Sequence, residues 1–166
     1  GERLQGDSRV SDEGIGESSL PENTPEVSEA GASQDGSYED LIEQGINDGR
    51  RGDYSSALAY FDKAIKLKPD QHEAWGNRGV ALSALGRLEE AIASYDKAIE
   101  IKPDYHQAWY KKACCYALQN NIKQAIENLQ IAINLNPEGY REMAKTDSDF
   151  DPIRNDKRFQ KLIHNA

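Results

Sequence analysis

The sequence predicts an all-α protein, an array of antiparallel helix pairs that ends in a capping helix. Three observations lead to this prediction. Several residue columns recur at one constant interval along the chain. Each interval contains two runs of apolar residues at three- and four-residue spacing, the period of a helix face. A glycine or asparagine separates the two runs, and a proline follows the second run.

Comparison of the chain with itself shows that the interval is 34 residues. This is the distance from Pro69 to Pro103 and from Pro103 to Pro137. Because so many columns stay in register, we predict three structural repeats, at residues 38–71, 72–105 and 106–139. The other matching columns are Trp75 and Trp109; Ala57, Ala91 and Ala125; Ala64, Ala98 and Ala132; and Ile65, Ile99 and Ile133.

The second repeat illustrates the two predicted helices. Trp75, Gly79 and Leu82 lie on one face of the first helix. Gly86 then suits the left-handed conformation past a helix end. In the second helix, Ala91, Ala98 and Tyr95 share a face. We expect Gly79 to face Ala91 and Ala98, so that the two backbones approach closely.

The last stretch, residues 140–166, is predicted to cap the array, because the end of a repeat stack exposes an apolar face that needs covering. A short helix, a break from Asp147 to Pro152 and a last helix with Asp156 as its N-cap are expected. The apolar residues of the two helices are Tyr140, Met143 and Ala144, then Phe159, Leu162 and Ile163.

These residues resemble the tetratricopeptide repeat family, whose pattern includes Trp75, Gly79, Ala91, Tyr95 and Pro103 at these spacings. The resemblance implies a right-handed superhelical array that binds a protein partner. The outer repeats depart from the pattern at Leu41, Ala113, Asn120 and Leu129. The segment 149–159 also resembles C-terminal extensions of cyanobacterial and chloroplast members.

Residues 1–37 are predicted to form a disordered acidic tail. They contain nine acidic and two basic residues and no aromatic residue, whereas residues 38–166 contain twenty acids and eighteen bases. A segment of this composition cannot bury enough apolar surface to fold. The charge of −9 therefore belongs mainly to the tail.

Composition also excludes several classes of function. No apolar run approaches the roughly 20 residues that a transmembrane helix requires, so we expect no membrane insertion. No basic patch is evident, so we expect no nucleic-acid binding. Cys114 and Cys115 are not a disulfide framework, which favours a reducing compartment, the cytoplasm or a chloroplast or cyanobacterial interior, with the localisation otherwise open.

No motif predicts catalysis or a cofactor. A phosphate-binding loop, a Ser-His-Asp set and a dinucleotide-binding turn are all missing, so we expect no enzyme. Cys115 occupies an alanine column and should pack, whereas Cys114 should face the concave side and be accessible. His72 and His106 start successive repeats, and we interpret them as structural.

A calcium site was considered at Asp147, Asp149 and Asp151, which alternate like the start of a calcium-binding loop. Pro152 and Arg158 stand where that loop requires glycine and glutamate. We therefore expect helix-capping carboxylates and no metal site.

The resemblance also implies a concave groove lined by the first helix of each repeat. Val80, Tyr110 and Cys114 would be apolar anchors, Asn77 would hold a partner's backbone and Lys111 an acidic group. With glutamates on the first two repeats, this arrangement suggests a partner segment with one basic and one acidic end. The candidate residues are Glu39, Glu43, Ile46 and Arg50; Glu73, Asn77 and Val80; and Gln107, Tyr110, Lys111 and Cys114.

The predicted function is a monomeric protein-binding scaffold or adaptor whose partner contributes an extended or helical segment. One alternative is an assembly or stability factor for a photosynthetic or other membrane complex. The other is a co-chaperone that binds chaperone tails through a carboxylate clamp. Ile42, Ile46 and Gln107 stand at three of the clamp positions, so this alternative is the less favoured.

Overall fold

A computed structural model describes residues 36–164, which contain helices and turns and no strand. The all-α prediction is thereby confirmed. The predicted tail lies outside the described residues, apart from Gly36 and Ser37. By its internal contacts the chain divides into two compact units, Gly1–Pro69 and Asp70–Ala166. None of the described helices is both long and apolar enough to cross a bilayer.

The first unit contains the helix pair α1 (Tyr38–Arg50) and α2 (Tyr54–Leu67). Ser37 caps α1, since its Oγ accepts a hydrogen bond from the Asp40 amide at 3.1 Å. Asp53 caps α2 in the same way through the Ser56 amide. The pair buries the apolar side chains Tyr38, Leu41, Ala57, Phe61 and Ala64.

The second unit contains two further helix pairs and the C-terminal cap. The helices α1, α3 and α5 begin at residues 38, 72 and 106, so their starts are evenly spaced at the predicted interval. The elements of this unit are α3 (His72–Ala84), α4 (Leu88–Ile101), α5 (His106–Leu118), α6 (Ile122–Leu135), α7 (Pro137–Thr146), a 3-10 helix (Ser148–Ile153) and α8 (Lys157–His164).

The turns inside the pairs share one geometry. Gly52, Gly86 and Asn120 all have positive φ, at 84°, 80° and 59°. In each turn the amide of the next residue donates to a carbonyl five residues earlier, which satisfies the helix end. These bonds join Asp53 to Asp48, Arg87 to Leu82 and Asn121 to Tyr116, at 2.8–2.9 Å. Asn120 thus replaces the glycine of the other two turns but adopts the same left-handed conformation.

The contact between paired helices differs from the prediction at Gly79. A Cβ at this position would lie 2.7 Å from both Cδ1 and Cζ of Tyr95, whose ring supplies the three nearest atoms. The atoms nearest to Gly79 therefore belong to Tyr95, and not to Ala91 or Ala98 as expected. The buried ring of Tyr95 lies directly over the glycine backbone and leaves no room for a side chain.

The same glycine–aromatic contact occurs in the first unit, between Gly45 and Phe61. In the last helix pair the corresponding residues are Ala113 and Leu129, both fully buried. The glycine is thus replaced by alanine, which adds a methyl group, only in the helix pair where leucine replaces the larger aromatic ring. The departure of this pair from the family pattern is therefore a matched change of two residues.

The cap agrees with the prediction at Asp156 and along α8 and departs from it at Met143. Asp156 caps α8 as predicted, since its Oδ1 accepts a hydrogen bond from the Arg158 amide at 2.8 Å. The apolar residues of α8 are buried as well. Met143, however, is 49% exposed, so it is not part of the apolar face of α7.

Candidate partner-binding surface

The candidate residues of the first unit lie along α1. Glu39, Glu43 and Arg50 are exposed, and Ile46 is half-buried. Oε2 of Glu39 lies 3.9 Å from Nζ of Lys68, a loose surface ion pair. The polar side chains of α1 are therefore accessible to a partner, with a partly exposed isoleucine among them.

The candidate residues of α3 also form an accessible face. Glu73, Asn77 and Val80 follow at four- and three-residue spacing on one side of the helix. Val80 is 39% exposed, a high value for an apolar side chain in this protein. Asn77 donates from Nδ2 to the Glu73 carbonyl at 3.0 Å, which orients its amide. Its Oδ1 then remains able to accept a hydrogen bond.

The face of α5 is different, because the C-terminal cap covers it. Gln107 and Lys111 are exposed, but Tyr110 is only 2% exposed. The Tyr110 ring stacks on Tyr140 with centroids 4.6 Å apart. Its hydroxyl donates to Oδ2 of Asp147 at 2.7 Å. Tyr110 therefore holds the cap and is not an accessible anchor, contrary to expectation.

Cys114 is buried as well, at 4% exposure. Burial raises the pKa of its thiol, and the negative charge of Asp147 raises that pKa further. The expectation that Cys114 is accessible is wrong, because the segment that follows α7 covers it. The packing role of Cys115 is confirmed, since this residue is buried with its Sγ 3.8 Å from Oγ of Ser83.

Arg154 fixes the segment that covers α5. Its guanidinium donates to the carbonyls of Lys145 and Asp147, at 2.7 and 2.6 Å, and to the Ala144 carbonyl at 3.3 Å. The carbonyls of Ala144 and Lys145 belong to the last turn of α7, where no later amide of that helix can reach them. The Asp147 carbonyl also accepts a hydrogen bond from the Phe150 amide at 3.1 Å. This role of Arg154 was not predicted from the sequence. A basic residue shortly after a helix break was the available signal.

Asp147, the first of the three aspartates considered for calcium, has a structural role. Asp147 accepts from the Asp149 amide through Oδ1 at 3.0 Å, while Tyr110 donates to its other oxygen. The sulfur of Cys114 and one oxygen each of Asp147 and Asp149 lie within 4.8 Å of one another. Because Asp147 already bonds within the chain through both oxygens, we interpret this cluster as part of the cap.

His72 and His106 both pack against tyrosines. The ring of His72 meets Tyr105 edge to face at 4.7 Å. His106 lies 2.7 Å from the Tyr140 hydroxyl through Nδ1. These contacts agree with the structural interpretation of the two histidines.

The charge of Lys111 acts partly within the chain. Burial and the neighbouring Asp147 raise the pKa of the Asp149 carboxyl, and the positive charge of Lys111 opposes that rise. The cap thus places negative charge beside the lysine that was expected to bind an acidic group. The charge difference between the glutamates of the first two repeats and Lys111 is therefore smaller in the structure than the sequence suggested.

Replacing Asp149 with Asn is expected to raise the midpoint of thermal unfolding at about pH 7. The raised pKa means that the folded state binds a proton more tightly than the unfolded state, so the charged carboxylate is penalised above that pKa. The gain should shrink as the pH falls below about 4, where both states are protonated. Circular dichroism melts of the two chains at about pH 7 and below about pH 4 measure this effect. An equal gain from Asp70→Asn, at an exposed aspartate, would contradict it.

Comparison with known proteins identifies the class of helical-repeat proteins, in agreement with the fold. Two family models, both described as tetratricopeptide repeat, match residues 42–106 and 82–145, which together make up more than half of the chain. The chain belongs to the tetratricopeptide repeat family, as the sequence resemblance predicted.

Curated relatives match over short stretches. An uncharacterized protein of Methanocaldococcus jannaschii is 48% identical over 46 residues, covering 28% of this chain and 54% of that protein. The TPR repeat-containing thioredoxin TTL4 of Arabidopsis thaliana is 50% identical over 40 residues, 24% of this chain and 6% of that protein. The chain thus spans about half of the first relative and a small part of the second.

Solved structures match over most of the chain. The TPR2B domain of yeast Sti1 in complex with pHsp70 is 26% identical with a TM-score of 0.60, covering 75% of this chain and 94% of that one. YrrB, a TPR protein with an unusual peptide-binding site, is 26% identical with a TM-score of 0.62, covering 66% and 57%. MamA, at 21% identity, TM-score 0.65 and 80% coverage of each chain, supports the fold alone.

Proposed function

We propose that this chain is a non-catalytic protein-interaction module that holds a partner segment against the exposed face of α3. The observation that carries the proposal is a difference between two equivalent positions in successive repeats. Val80 on α3 is 39% exposed, whereas Cys114 on α5 is 4% exposed. The cap covers Tyr110 and Cys114 on α5, whereas Val80 on α3 stays accessible.

The chemistry of α3 suits one kind of partner segment. Val80 offers an apolar contact, and Oδ1 of Asn77 can accept a backbone amide. Glu73, exposed one turn earlier on the same face, favours a basic residue in the partner. Gln107 and Lys111 add exposed polar groups on α5. A short segment with an apolar residue close to a basic one matches these features.

Two similar proteins support a peptide-like partner. The TPR2B domain of Sti1 was solved as a complex with pHsp70, and YrrB is described as having a peptide-binding site. Clamp-type binding of chaperone tails is not part of this proposal, because Ile42 and Ile46 offer no donor to a carboxylate. The role in assembling a photosynthetic or other membrane complex stays a narrower prediction, as does the monomeric state.

The variant Asn77→Ala/Val80→Asp should weaken partner binding by about tenfold or more, because it removes a backbone acceptor and places a charge at an apolar contact. The partner would be recovered by affinity purification with the full chain and identified by mass spectrometry, and its affinity measured by calorimetry. Helicity should stay unchanged, since Val80 is 39% exposed and Asn77 is half-buried, so neither belongs to the core.

The matched control is Ala93→Asp, an exposed position on α4. The control should bind like the parent chain. Equal affinity of the parent and the Asn77→Ala/Val80→Asp variant, with both folded, would exclude the α3 face as the binding surface.

A further inference from the structure

The exposed side of α8 carries two lysines that make no ion pair within the described residues. Lys157 and Lys161 stand one turn apart, followed by His164, and all three are exposed. The opposite side of α8 is buried through Phe159 and its neighbours. Arg158, Phe159 and Gln160 separate the two lysines in the sequence, and the four-residue spacing places Lys157 and Lys161 on one side of the helix.

Most other basic residues of the second unit are paired. Arg87, Lys97, Lys102, Lys112, Lys145, Arg154 and Arg158 each lie within 4.0 Å of a carboxylate. Lys157 and Lys161 have no such partner in the part of the chain that the structure describes. They are adjacent on the helix, so their charges add at one place.

The position of Lys157 is unfavourable for α8 itself. Lys157 is the first residue of the helix, where the backbone dipole disfavours a positive charge, and the first turn contains no acidic residue. Two like charges four residues apart also repel each other. Arg158 is compensated by Asp156, whose Oδ2 lies 3.1 Å from its guanidinium, but Lys157 is not. Lys161 lies in the last turn, where the dipole favours a positive charge, so the local cost falls on Lys157. This uncompensated cost at Lys157 favours a role outside the fold.

We propose that the exposed side of α8 is a second interaction surface, which binds a short acidic segment of a partner protein. Carboxylates spaced along an extended or helical segment would pair with Lys157 and Lys161 and relieve their mutual repulsion. A long polyanion fits less well, because residues 38–166 contain twenty acids against eighteen bases and would repel it outside this patch. The favoured partner therefore contacts α8 over a few residues only.

A fluorescein-labelled peptide of about ten glutamates is the probe, and fluorescence anisotropy with the full chain at roughly 0.05 M salt measures its binding. The variant Lys157→Gln/Lys161→Gln should weaken binding about fivefold or more, since it removes two ion pairs. The control Lys66→Gln/Lys123→Gln removes two exposed lysines elsewhere and should change affinity less than about twofold. Circular dichroism checks that both variants fold.

The proposal is overturned if the parent chain does not bind the peptide, or if the two double variants weaken binding equally. It is also overturned if phosphatidylserine vesicles or duplex RNA bind the parent chain more tightly than the peptide does and lose that binding in Lys157→Gln/Lys161→Gln. Neither outcome bears on the α3 face, whose test uses other residues and another partner.

Discussion

Replacing Phe150 with Ala should lower the free energy of unfolding by about 3–5 kcal/mol. Phe150 is fully buried in the 3-10 helix. Its ring centroid lies 5.7 Å from that of Tyr110 and 5.3 Å from that of Phe159, so it joins α5 to α8. Removal of the ring leaves a cavity between these elements, and the well-packed surroundings cannot collapse to fill it. Urea unfolding followed by circular dichroism measures the loss.

The same substitution should expose Cys114, because the segment that carries Phe150 covers it. A thiol-reactive dye should therefore label Cys114 faster in Phe150→Ala than in the parent chain, with Cys115→Ala in both to remove the second thiol. The exposed Met143 gives the control, since Met143→Ala should change stability by less than about 0.5 kcal/mol. If Phe150→Ala cost no more than this control, the cap would not close the face of α5.

Replacing Gly79 with Leu should lower the free energy of unfolding by about 1–3 kcal/mol or more. A side chain at this position would overlap the ring of Tyr95, which is buried and cannot move aside. In a Tyr95→Leu background the cost should fall by about 1 kcal/mol or more, because the ring that causes the overlap is gone. Urea unfolding of the parent, the two single variants and the double variant gives the coupling energy.

Gly49 provides the matched control for this prediction. It lies in α1, and a Cβ there would meet no atom within 4 Å. Gly49→Leu should therefore leave stability unchanged or raise it by up to about 1 kcal/mol through helix propensity. Additive effects of Gly79→Leu and Tyr95→Leu would show that the ring does not determine the need for glycine.

The repeat architecture was readable from the sequence, because each helix and turn repeats a local signal. The positive φ of Gly52, Gly86 and Asn120 follows from the residues themselves. The contact at Gly79 could not be identified in this way, since Tyr95, Ala91 and Ala98 share one helix face and periodicity does not rank them. The matched pair Ala113 and Leu129 became interpretable only once the ring was seen over the glycine.

The candidate surface was predicted less completely. Exposed residues of α1 and α3 were identified from repeat positions, but two of the four candidates on α5, Tyr110 and Cys114, are covered. The covering segment is irregular, so its path depends on long-range contacts such as Tyr110 with Asp147 and on the hydrogen bonds of Arg154. No periodic signal encodes such contacts. The basic side of α8 was missed for a different reason. Lys157 and Lys161 stand four residues apart in a predicted helix, but their lack of a carboxylate partner became visible only in the structure.

Photo-crosslinking from α3 tests the central claim most directly. A benzophenone amino acid in place of Val80, which is exposed, should crosslink the full chain to its purified partner. The same amino acid in place of Ala93, exposed on α4, should not. Crosslinking from position 80 alone is the result that the account predicts. Crosslinking from position 93 without any from position 80 would contradict it.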